Sequence, residues 1–213
     1  MKTILKSACR LSMLTFVSLV LSFLGACSTS LKLPPKSKDM EKVYLLKYLT
    51  WGHHSLAFYR NGHLTEFTYG DWELFALNKR DSWTAFKNMT FFTPGALGRK
   101  SVALEAGDSI CDKFKGCVQI VPFMAPKAKV SELWNRLQKL YEQNAQTEVY
   151  NENEEVFFVK YDRPYWGFHN CNHELADWLE EIGGEVSGKI FYNPRFIEGM
   201  SPRQAPITYF SKD

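Results

Sequence analysis

The sequence predicts an α+β domain, an antiparallel sheet carrying a few helices. Three observations lead there. Strand-compatible runs flank the dipeptide Asn61-Gly62, the strongest short hairpin signal. Two further runs lie on either side of the loop between Cys111 and Cys117. Later in the chain, apolar residues recur at helical spacing in two segments.

Taken in order, "HHSLAFYR" (53–60) and "HLTEFTYG" (63–70) are the two strands of the hairpin. "SVALEAG" (101–107) and "CVQIVPF" (117–123) are two more, around the cysteine loop. Ser131 caps a helix through "SELWNRLQKLYEQNAQ", in which Leu133, Leu137, Leu140 and Tyr141 recur at helical spacing. "EVFFVKYD" (155–162) is a strand. The last helix begins near Cys171 with Asn170 as N-cap and stops at Gly183-Gly184. Beyond it, a stretch with Pro194, Pro202 and Pro206 is expected to be loop and wrapping segment.

The chain opens with Lys2, Lys6 and Arg10, followed by "LSMLTFVSLVLSFLGA". That apolar run is short for a membrane span of about 20 residues and has the layout of a secretory signal. It ends in Leu24-Gly25-Ala26-Cys27, which resembles the lipobox of bacterial lipoproteins. The resemblance implies a signal peptide over 1–26, cleavage before Cys27, and lipid (diacylglyceryl, with palmitate-type chains) on its sulfur. Ser28 in the next position implies the outer membrane, with the domain facing the periplasm. Residues 27–42, polar with two prolines, are then a lipidated tether, and 43–213 a single domain long enough for a proper core. The formal charge of +3 belongs to the signal, which holds three basic residues and no acidic one. The remainder is neutral, without the concentrated basic face that nucleic-acid binding requires.

Cysteine usage agrees with export. Cys9 leaves with the signal and Cys27 is consumed by lipid. Cys111 and Cys117 can close a small disulfide loop in an oxidising compartment. If they pair, Cys171 is left over, and an odd cysteine in an exported protein is a candidate reactive thiol.

In the last helix Cys171, Leu175, Trp178, Leu179 and Ile182 share one face, which packs on the sheet. Such a cysteine can be plain core, since cysteine is among the most buried residues. It can also be a nucleophile: a helix N-terminus favours a thiolate and lowers its pKa, more so beside a histidine. The hairpin supplies His53 or His54 as base and Glu66 on the returning strand to orient the imidazole. Neighbouring residues on a strand point to opposite faces, so one of the two histidines meets Cys171. His53 is favoured, because the small Ser55 shares its face and lets the helix approach. His63 sits too near the turn. Backbone N–H groups at Cys171 and Asn172 would hold an oxyanion. Tyr69, Trp72, Trp166 and Phe168 line a substrate groove or belong to the aromatic core.

"HHSLAFYRNGHLTEFTYGDWELF" and "NCNHELADWLEEIGG" resemble permuted papain-like cysteine proteins. The nearest group is an uncharacterised bacterial family sometimes labelled urease-associated, with an H-x-G-L strand, an E-F-x-W-G-D stretch and an N-C-N helix start. His53-His54-Ser55-Leu56, Glu66 to Asp71, and Asn170-Cys171-Asn172 take those places, with Tyr69 for Trp and Thr68 for a glycine. The lecithin:retinol acyltransferase-like proteins share the order, and Asn170-Cys171-Asn172-His173 echoes their N-C-x-H. The resemblance implies a circularly permuted papain-like fold and an acyl-enzyme at Cys171. The acyl group then passes to water or to another acceptor, and the substrates in view are peptidoglycan stem peptides or lipid esters. Peptide or amide hydrolysis stands ahead of acyl transfer. A non-catalytic lipoprotein that binds glycan or peptide in the same groove is the reading from another class. No cofactor is implied. Metal-binding spacings such as Cys-x-x-Cys are absent, and His169 and His173 flank Cys171 at positions hard to bring together with it. His173 is expected to be exposed, and Asp71 to cap a backbone turn.

Overall fold

A computed structural model of the chain describes residues 30–35, 37–48 and 53–187. The expected signal peptide, Cys27 and the segment after 187 lie outside the described residues. The fold is α+β, built on one antiparallel sheet. Its strands are β2 (Met40–Tyr48), β3 (His54–Arg60), β4 (His63–Asp71), β5 (Thr93–Ala103), β6 (Cys117–Pro126), β7 (Val149–Asn151) and β8 (Val156–Tyr165). They lie in the order β6-β2-β3-β4-β5-β8-β7. A short pair, β1 (Ser30–Lys32) with β9 (Glu185–Ser187), stands apart. The helices are α1 (Ser82–Thr90), α2 (Lys127–Gln143) and α3 (Cys171–Glu181). Among the described residues, no helix is long and apolar enough to cross a membrane.

The β3–β4 hairpin forms as expected. Asn61 and Gly62 both have positive φ (51° and 83°), as a two-residue turn matched to strand twist needs, and Arg60 pairs with His63. Both faces of the sheet are covered, which is why β4 is buried at every position after its first. On one face α2 and α3 bury Leu133, Leu137, Leu175 and Trp178 against Leu56, Phe67 and their neighbours. On the other, Ile110 and Phe114 of the disulfide loop cover Leu46, Ala57 and Leu64. Beside them a π turn, Trp72–Ala76, packs on Ala96 and Phe158. The Cys111–Cys117 disulfide is formed.

Several expectations change. The strand expected at 101–107 runs instead from Thr93 to Ala103. Its two glycines are steric: a Cβ at Gly95 would lie 2.2 Å from the Arg163 carbonyl oxygen, and one at Gly98 would lie 2.4 Å from Thr68 Cγ2. Ser131 does not cap the second helix, which starts four residues earlier straight out of β6; its hydroxyl accepts from Arg60 instead, at 3.3 Å. The segment expected to be a tether contributes β1 and the start of β2, and Leu31 is buried. The short helix α1, capped by Asp81, was not anticipated.

Candidate functional site

Asn170 caps α3 as expected: its side-chain oxygen accepts from the Asn172 N–H at 3.0 Å. His173 completes the cap by bonding Asn170, so it is half-buried rather than exposed. Cys171 is the first helical residue and is 8% exposed. The amides of Cys171 and Asn172 and the Tyr165 side chain favour the thiolate electrostatically. The Asn172 N–H is already committed to the cap. Lowering of the thiol pKa by the helix terminus does not prevail. Burial is the larger effect and pushes the thiol up to about 12.

The histidine on the helix face of the sheet is His54. It is buried, and its Nδ1–H donates to Asn172 Oδ1 at 3.2 Å. His53, the favoured partner, points the other way. Its Nε2 bonds Thr68, and its ring lies 5.4 Å from that of Phe75 in the π turn. Glu66 is on that far face too, accepting from Ser55 and from Tyr48. Strand alternation explains both: Leu56 and Phe67 pair across the hairpin on the helix face, which sends Ser55 and Glu66 to the opposite one. The expected Cys171–His53–Glu66 set is therefore divided by the sheet.

The remaining expected residues also separate. Tyr69 faces the helices, fully buried, with its hydroxyl donating to the Arg163 carbonyl at 3.2 Å and its ring 5.7 Å from that of His169. Trp72 belongs to the π turn on the far face and does not reach Cys171. Trp166 makes tilted ring contacts with Phe92 and the exposed Phe168 just before α3. Asp71 caps the π turn, accepting from the Leu74 N–H at 2.7 Å.

Sequence reasoning missed Glu174. It is fully buried on α3 and accepts from Tyr161, Trp178, His169 and Arg163 at 2.7–3.1 Å. An acidic residue inside the apolar stripe of the last helix was the available signal. This cluster ties β8, the turn before Cys171 and α3 into one unit. His169, Glu174 and Asp177 offer ligand atoms within 4.8 Å of one another. The Arg163 guanidinium already donates to both carboxylates, at 2.7 and 3.0 Å, so the chain supplies the positive charge itself.

Comparisons with protein-family models, with curated proteins and with solved structures give no match for this chain.

Proposed function

We propose that the protein is a lipid-anchored envelope hydrolase of permuted papain-like type that forms an acyl-enzyme at Cys171, with His54 as its base. The observation that carries the reading is the hydrogen bond between His54 Nδ1 and Asn172 Oδ1. It holds an imidazole at the helix turn that bears the thiol and places the ring's lone pair on Nε2. Because burial keeps Cys171 protonated, its proton passes to His54 as sulfur attacks the acyl carbon. His54 then protonates the departing amine or alcohol. Water, deprotonated by His54, cleaves the thioester and restores the thiol. The Cys171 N–H stands where the oxyanion forms. Peptide or amide bonds, with peptidoglycan stem peptides foremost, are the proposed substrates; an acceptor other than water makes the same site an acyltransferase.

A second reading has an observation of its own. A cysteine only 8% exposed with its thiol pushed up to about 12 is also what an inert core residue looks like. Under that reading the protein is a binding lipoprotein.

The active ester 4-nitrophenyl acetate separates the two. Mass spectrometry of the full-length protein should find a transient acetyl thioester on Cys171. Its formation should fall by roughly 10²–10⁴-fold in His54→Ala and stay unchanged in His53→Ala. Absence of the adduct, or indifference to His54, would promote the binding protein.

A further inference from the structure

The two motif residues turned away from Cys171 meet on the opposite face of the sheet, and there they line a partly open pocket. It lies between the disulfide loop, which contributes Phe114, and the π turn, which contributes Phe75. Its floor is polar where an apolar floor would cost less: Tyr48, His53, Glu66 and Thr68 all face it.

Glu66 is 2% exposed, and both of its hydrogen bonds, from Tyr48 and Ser55, fall on Oε1. Among the described residues, no hydrogen-bond donor or cation is bound to Oε2. Lys100 lines the same cavity but pairs with Glu155 at 3.0 Å and lies 5.5 Å over the Phe114 ring. Lys115 reaches the Glu152 carbonyl at 3.4 Å, and Glu154 is bound to Arg80. His53 bonds Thr68 through Nε2, while its Nδ1 is buried with no hydrogen-bond partner. The Lys100 charge acts on Glu66 without a hydrogen bond to it, and a buried carboxyl oxygen with no donor is costly until one arrives. The rings of Tyr48, Phe75, Phe114 and Phe158 line the pocket, and Phe114 already holds a cation, Lys100, over its ring.

We propose that this cavity binds a primary ammonium carried on a small apolar body. The N–H groups donate to Glu66 Oε2 and to His53 Nδ1, whose ring proton is then on Nε2 and donated to Thr68. The body lies among Phe75, Phe114 and Phe158. The site is on the other side of the sheet from Cys171 and does not rest on its chemistry.

The test titrates butylammonium chloride into the full-length protein in detergent micelles by calorimetry, with butan-1-ol and butanoate alongside and detergent-only blanks subtracted. Saturable binding of the amine at least tenfold tighter than the alcohol is expected. Amide NMR shifts should appear at Glu66, Thr68 and Gly98 and not at Cys171 or Asn172. Glu66→Gln should weaken the amine at least tenfold. The amine–alcohol comparison on the unaltered protein stands even if that variant does not fold. Equal binding of the alcohol would reduce the site to an apolar void, and tighter butanoate would give recognition to the lysines. Either result, or shifts confined to other amides, overturns the proposal.

Discussion

Two buried glutamates, one on each face of the sheet, are held in opposite ionisation regimes by their neighbours. Burial alone would raise Glu174, but the His169 hydrogen bond and the Arg163 guanidinium outweigh it and hold the carboxyl below its ordinary range. Burial also raises Glu66, and there the neutral donors Ser55 and Tyr48 only partly offset it. The signs for stability therefore differ. Glu174 takes up a proton less readily folded than unfolded, so its contribution is present above about pH 4.3 and is lost as pH falls through its folded value. Glu66 takes one up more readily folded, so stability declines as pH rises from about 4.3 through its folded value. His53, pushed down by burial to about 3, stays neutral while the unfolded ring protonates. Its contribution is lost as pH falls from about 6.5 towards that value. Urea denaturation across pH 4–8 checks the set. Glu174→Ala should lose roughly 3 kcal/mol at pH 7, whereas Glu66→Gln should lose less than about 1 kcal/mol and remove the decline above pH 4.3.

At the scale of elements, α3 is the segment whose two ends matter most. Its start presents Cys171. Its stop is a Schellman motif: the Gly184 N–H donates to the Leu179 carbonyl and the Gly183 N–H to that of Glu180, with Gly183 at φ 95°. Gly183→Ala should therefore cost about 1 kcal/mol, read from the shift of the urea midpoint. Both ends of α3 were readable because caps are local: an Asn and a Gly pair act through their own backbone. The same logic served the Asn61-Gly62 turn. It failed for β5, where "TPGALG" lacks strand formers because the Tyr69 ring and the Arg163 carbonyl crowd Gly95, and Thr68 crowds Gly98. It failed again for α1, whose Trp83, Phe86 and Met89 are exposed and so mark no inward face.

At the scale of the whole molecule, the sheet separates two cores, one under α2 and α3 and one under the disulfide loop. The disulfide loop covers only the face away from Cys171. Replacing Cys111 and Cys117 by Ser should cost about 2 kcal/mol for a loop this short. Acetylation of Cys171 by the active ester should proceed unchanged, a pairing that denaturation and mass spectrometry measure together. Much was legible in the chain alone: the α+β class, the hairpin, the capped cysteine helix and the pairing of Cys111 with Cys117, all set by neighbours close in sequence. Alternation also announced that His53 and His54 part company. Which of them faces α3 was a matter of packing, because a strand's period of two says that faces differ and not which face a distant helix will cover. Leu56 and Phe67 drew α3 to their side, bringing His54 to Asn172 in the first turn of that helix and leaving His53 with Glu66 across the sheet.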